Sequence, residues 1–296
     1  MEGYSVIRNR PQPLPMEQAV RRVREMSTLP QVALHIMEMV RDPSASAGKL
    51  TAVVENDPPL CARLLRCVNS AAYGLRYRIT TVQRAVAYVG FKTVRNLAMA
   101  ATIADVFKRD AQIGPYRRVG LWQHMVAVAV GARMAARRCG LPEFEEAFLA
   151  GLLHDVGIIL EDQYLHMHFV YMLEHLGQRR LNDVEIEVFG FDHAVFGDRV
   201  AEGWKFPDEV IAAIRYHHQF GQYNGPHQRL LAAVVVANLI CTLKGYSSIG
   251  EVRAEPCPEA LQALGLDVQG LKVLAADLDA ELTQHDTLFG MLNNHE

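Results

Sequence analysis

Apolar residues recur every three to four positions along most of this chain, and no stretch alternates with the period of two expected of a half-buried strand. The helical period begins at Met16 in MEQAVRRVREM and breaks at Ser27–Pro30. It resumes in PQVALHIMEMVRD, where Val32, Ile36, Met39 and Val40 have helical spacing and Pro30 suits a first turn. Ser44–Glu55 predicts another short helix, closed by NDPP at 56–59. LCARLLRCVNSAAYG, TTVQRAVAYVG and FKTVRNLAMAATIADVF follow, punctuated by Gly74, Gly90 and a cap at Thr80 or Thr81.

RDAQIGPY at 109–116 reads as a connector, after which a helix runs through Leu121–Arg138. Ala147–Gly157, AFLAGLLHDVG, is an apolar helix ending at Gly157, and Leu160–Leu176 predicts one further helix. Asn182–Phe191 ends near Gly190, and Asp192 can cap DHAVFGDRVAEGW. Pro207 opens PDEVIAAIRYHH, Leu230–Leu243 is a buried helix, and Pro256 onward gives two short helices and a tail ending NNHE. The pattern predicts an all-α fold of two packed helical lobes: an irregular lead-in over 1–15, an N-terminal lobe over 16–109, a second lobe over 110–245, and C-terminal helices with a tail over 246–296.

Composition narrows the function classes. Of 296 residues, 50% are hydrophobic and 21% charged, with a formal net charge of -3 that gives no bulk pull toward nucleic acid or acidic lipid. Five cysteines (61, 67, 139, 241 and 257) are never spaced CxxC, which points to reduced thiols in a cytoplasmic protein. No apolar signal region opens the chain, and the run Leu230–Cys241 is too short to span a bilayer, so no membrane partner is expected. Thr80–Ala101 could form a helix-turn-helix, but its second helix offers mainly Lys92, Arg95 and Asn96 without a dense basic face. Plain helix packing is the favoured reading, and nucleic acid is not expected.

The histidines add the chemistry. His154–Asp155 closes an apolar helix, His124 precedes a stripe of Ala127, Val128, Gly131 and Ala135, and His193 sits in a first turn. His217–His218 ends a helix with acidic residues at its start, and Asn238 sits among Leu231, Val234, Val235 and Cys241. His35 alone, and His166, His168 and His175 without a shared stripe, read as surface or half-buried groups. The first set, taken in order, is too many metal-capable groups for a core with no ligand. Neutral imidazoles bind one or two metal ions, and a carboxylate such as Asp155 can bridge a pair. Iron is the first choice, then manganese, nickel or zinc, the ligand types alone permitting all of them.

Order and spacing then give a family likeness. WxH at 122–124, LLHDVG at 152–157, DHAVFG at 192–197 and YHH at 216–218 resemble the HD superfamily. LPQV at 29–32, NDPPLCARLLRCVNSAAYG at 56–74 and ITTVQRAVAYVGFKTVRNL at 79–97 resemble the HDOD branch. The resemblance implies an HD-like bundle with a central metal site in the second lobe, in a cytoplasmic bacterial signalling or regulatory module that is non-catalytic. It would act through partners such as kinases, cyclases or response regulators. The likeness carries over His124, His154, Asp155, His193, His217, His218 and Asn238 as metal ligands.

The alternative is a metal-dependent phosphodiesterase or phosphohydrolase acting on cyclic dinucleotides or nucleotides, with Asp155 catalytic, as in the sister HD-GYP group. Departures from that group weigh against it: Ile158 replaces its lysine, QFGQYNGPHQ at 219–228 replaces its Gly-Tyr-Pro loop, Gly120 cannot supply a glutamate, and Asn238 replaces a carboxylate.

Overall fold

The computed structural model describes residues 10–26, 31–42, 44–108, 110–250 and 255–292. The expected break at 27–30 and the NNHE tail lie outside the described residues.

Side-chain caps set where the first helices begin. After α1 (Met16–Met26) and α2 (Gln31–Arg41), Ser46 caps α3 (Ala47–Glu55), and Asp57 accepts from the Leu60 amide at 3.0 Å to open α4 (Pro58–Val68). Thr81 caps α5 (Val82–Val89), and Gly90 turns the chain at φ 94° into α6 (Phe91–Ile103). Every α6 residue from Val94 to Ile103 is buried. Asn96 donates to the Glu145 carboxylate at 2.8 Å and its carbonyl at 2.7 Å, while Arg95 lies inside the molecule. From Val94 onward α6 is thus packed inside the molecule.

The connector holds a two-residue antiparallel pair, β1 (Gln112–Ile113) and β2 (Tyr116–Arg117), around Gly114. Its far end is pinned: Tyr116 Oη donates to Asp162 at 2.8 Å, and Arg118 pairs with the same carboxylate. Next come α7 (Arg118–Arg138), α8 (Phe144–Leu153), α9 (Val156–Tyr164), α10 (His166–Leu176), α11 (Leu181–Phe189), α12 (His193–Gly203) and α13 (Asp208–Tyr216). The chain continues through α14 (Gln228–Leu243), α15 (Pro258–Leu264), α16 (Val268–Gln284) and α17 (Asp286–Phe289).

Small residues let α7, α8 and α14 approach closely. A Cβ on Gly131 would lie 3.2 Å from that of Ala237, and one on Gly151 would lie 2.9 Å from the Val128 carbonyl. A continuous apolar core joins the helices before the connector to those after it, and α1 packs on α9 and α12.

Four expectations are corrected. The chain does not stop at Gly157: it turns at His154–Asp155 and starts again as α9. Leu160–Leu176 is two helices, broken at Leu165, and α16 is a long helix of 17 residues. His168 is buried, because the Gln12 carbonyl lies 2.8 Å from its Nε2 and Phe189 stacks on its ring.

Buried His285 anchors the C-terminal helices to α7. Its Nδ1 donates to the Glu281 carbonyl at 2.8 Å, so its Nε2 accepts from the Arg133 guanidinium. Burial and then Arg133 lower its pKa. The unfolded histidine therefore takes up a proton at a pH where the folded one does not. The stability it contributes is present above about pH 6.5 and is lost as the pH falls below that value. His285→Gln should lose less stability than the wild type between about pH 7 and pH 5 in urea titrations. An unchanged pH dependence would rule His285 out as a contributor.

Candidate metal centre

Five imidazoles and one carboxylate from distant parts of the chain meet at the corner between α8 and α9. His124 comes from α7, His154 and Asp155 from the corner itself, His193 from the first position of α12, and His217 and His218 from just beyond α13. Asp155 Oδ2 lies 3.3 Å from His124 Nε2 and 3.4 Å from His154 Nε2. Its Oδ1 lies 3.2 Å from His217 Nε2 and 3.5 Å from His193 Nε2. Two overlapping groups result, Asp155 being common to both: His124 and His154 on one side, His193, His217 and His218 on the other. All are buried except His218, which is exposed and forms the mouth.

The far sides of the rings decide what the near sides can do. His124 Nδ1 faces the Tyr246 carbonyl at 2.8 Å, His154 Nδ1 the Gly151 carbonyl at 2.8 Å, and His217 Nδ1 the Ala213 carbonyl at 2.9 Å. A carbonyl only accepts, so each Nδ1 carries a proton, and each ring turns its Nε2 toward the centre. Burial pushes the His154 pKa down to about 3, which keeps that ring neutral. Burial alone would raise the Asp155 pKa, but the imidazoles around it, His154 foremost, hold its carboxyl well below the usual range. His124 Nε2 and His154 Nε2 are 3.2 Å apart, and Asp155 Oδ1 has no hydrogen-bond donor. Converging lone pairs and a buried carboxylate oxygen without a donor repel one another unless a cation lies among them. The donor set fits a metal ion.

His193 is held differently. Its Nδ1 and its backbone amide both donate to the buried Glu185 carboxylate, at 2.8 Å and 3.0 Å. Burial disfavours its charged form, yet Glu185 and then Asp155 hold its pKa well above the usual value. Behind Glu185 lies Glu161, fully buried with neither oxygen bonded. Burial and then Glu185 raise the Glu161 pKa well above the usual value, so it is a neutral acid beside a carboxylate. A carboxylate behind a metal-binding histidine fixes its orientation and raises its basicity. Glu185→Ala should weaken metal binding about 10- to 100-fold, and Glu185→Gln less, because its amide oxygen still accepts from Nδ1. Competition against a chromophoric chelator measures this, and equal affinities in all three proteins would exclude the role.

The sequence reading missed Glu161 and Glu185. The available signal was a glutamate at an inward position of an apolar helical stripe, Glu185 lying between Val184 and Val188. The amide oxygen of Asn238, on α14, accepts from Thr242 on its own helix at 3.3 Å. Among the described residues no helix is long and apolar enough to cross a membrane.

Comparison with known proteins places this architecture. An HDOD domain protein of unknown function from Geobacter sulfurreducens superposes with a TM-score of 0.75 at 24% identity, covering 93% of this chain and 98% of that one. A Marinobacter aquaeolei VT8 structure, provisionally described as a signal transduction protein, gives 0.75 at 27% identity over 94% of this chain and 65% of its own. A Shewanella amazonensis SB2B structure, provisionally described as a phosphohydrolase, gives 0.72 at 22% identity over 93% and 97%. An uncharacterized protein of Treponema pallidum (strain Nichols) is 25% identical over 244 residues, 81% of this chain, which spans about half (46%) of that relative's length. The HDOD domain profile matches residues 26–220, taking in helices on both sides of the connector, and the chain belongs to the HDOD domain family.

Proposed function

We propose that this chain is a metal-holding signalling module of the bacterial cytoplasm, acting through contacts with partner proteins rather than by hydrolysis. The observation that carries the metal is the convergence of His124, His154, His193, His217 and His218 on Asp155, with Asp155 Oδ1 lacking any donor. These six side chains would hold one or two ions, iron first, then manganese, nickel or zinc. A metal bound there supplies Lewis acidity and lowers the pKa of a coordinated water. The protein contributes little else toward phosphoryl chemistry. Ile158, in the position where the hydrolytic sister group has a lysine, is fully buried, so no cation stands there to stabilise a phosphate. Two cavities, one between α1 and α12 and the other around Gly120 and Tyr246, are lined by other residues. The Marinobacter relative's description as a signal transduction protein agrees with this reading.

The second reading is a phosphohydrolase, favoured by the exposed His218 at the mouth of the cluster and by the Shewanella relative's description. One experiment separates the two. Elemental analysis of protein purified without chelators should find bound metal that His154→Ala loses, while cyclic dinucleotides and nucleotides remain intact. Turnover that needs metal and disappears in His154→Ala would establish the hydrolase instead. Absence of metal from the wild type would overturn both.

A further inference from the structure

Between Asp57 and Asp105 the chain has seven basic side chains and no acidic one. Since the whole chain has a formal charge of -3, the remainder carries -10. Six of the seven fall into two groups. Arg63 and Arg95 are buried against Asp105 and Glu146, and Lys92 reaches Glu146 at 2.8 Å. Arg76, Arg78 and Arg84 are exposed, and none has a carboxylate partner among the described residues. Two tyrosines stand among them, Tyr77 at 67% exposure and Tyr88 at 60%.

The fold presents these groups in an ordered way. Asn69 clamps the loop between α4 and α5: its amide nitrogen donates to the Leu65 carbonyl at 2.7 Å and the Ile79 carbonyl at 2.8 Å, while its oxygen accepts from the Ile79 amide at 2.7 Å. Ile79 is buried, so the loop is tied down beside Arg76, Tyr77 and Arg78, and Arg76 lies over the Tyr77 ring. Arg84 and Tyr88 follow one turn apart on the outer face of α5. Ordered Arg and Tyr side chains lose little entropy on binding, and both types are enriched where interfaces concentrate their energy.

We propose that the loop 70–80 together with the outer face of α5 is a docking surface for a protein that presents an acidic face. The argument is charge complementarity. Arg forks match carboxylates in a bidentate geometry, and this face carries no carboxylate of its own. A nucleic acid is the poorer match, because a long polyanion lying across the molecule also meets the acidic remainder. The proposal rests on the signalling reading above and names the kind of partner that reading requires.

The probe is a fluorescent peptide of alternating glutamate and leucine, titrated by anisotropy against the full chain beside an oligodeoxythymidylate of equal length. The peptide should bind and weaken as salt rises. Arg78→Glu with Arg84→Glu should cut its affinity roughly tenfold or more. Tyr77→Ala with Tyr88→Ala should reduce it several-fold, while Arg21→Glu with Arg199→Glu, remote from this face, should leave it unchanged. The proposal is overturned by an absence of peptide binding, by equal loss in the remote control, or by tighter binding of the oligonucleotide that the same variants abolish. Metal content measured on the same samples should not change in any of these variants. If metal is absent from all of them the signalling-module reading fails, whatever the peptide does.

Discussion

Asp155→Ala should strip the protein of metal and lower its melting temperature in the same samples. The carboxylate is the only acidic group shared by the two clusters of imidazoles, with Oδ2 facing His124 and His154 and Oδ1 facing His193 and His217. Without it, lone pairs converge with nothing to offset the charge of an incoming cation. Metal that binds only the folded chain contributes about 2.7 kcal/mol when present at 100 times its dissociation constant, and about 4.1 kcal/mol at 1,000 times. For a chain of this size that amounts to roughly 4–7 °C. The comparison must include a chelator. The gap between the two proteins should narrow when both are chelated, because the wild type then loses the metal's contribution. Elemental analysis and differential scanning calorimetry check both halves. A variant that keeps its metal would show that Asp155 is not a ligand.

Gly157→Ala should be the most damaging single-carbon change in the molecule. A Cβ at 157 would lie 2.0 Å from the His193 carbonyl oxygen and 2.8 Å from its carbonyl carbon. Those atoms are backbone at the start of α12 and cannot rotate away. Gly197 faces the same crossing, its own Cβ position lying 3.2 Å from the Gly157 nitrogen. The two glycines thus let α9 and α12 touch, and that contact sets His193 beside Asp155. Adding a methyl group must push α12 outward, at about 3 kcal/mol or more, and carry His193 off the cluster. Metal content should fall together with stability. Gly48→Ala, which meets nothing closer than 3.9 Å inside helix α3, should be neutral or slightly stabilising. Wild-type metal content and melting in Gly157→Ala would mean that the crossing yields easily.

How much of this was legible beforehand depends on the kind of signal. Helices with a clear apolar period and a capping residue were readable: Thr81 and Asp192 each cap where the pattern places a start. His124, His154–Asp155, His193 and His217–His218 stood out because imidazoles closing apolar helices need a reason, and the structure brings them together. Gly157 misled, since a glycine after a helical run reads as a stop, whereas here its missing side chain makes room for another helix. Glu161 and Glu185 escaped notice because a lone glutamate on a helix is normally solvated. Only the docking of α9, α11 and α12 turns them toward His193. His168 was misjudged for a related reason, because the carbonyl that satisfies it comes from residue 12, far away in sequence. Burial of Arg95 and Asn96 likewise depends on where α8 lies against α6.

The origin of the imidazoles on helices far apart in the chain has a consequence for the order of events during folding. Tyr246, Gly151, Ala213 and Glu185 each fix one ring. Only the His124 anchor is distant in sequence, the other three lying within eight residues of their rings, but the rings themselves come from helices far apart along the chain, so the cluster assembles only once those helices have docked and cannot nucleate the chain. Loading should therefore leave the refolding rate nearly untouched and act on the opposite limb, slowing the escape from the native state. A charged metal centre of this kind would set the lifetime of the folded module.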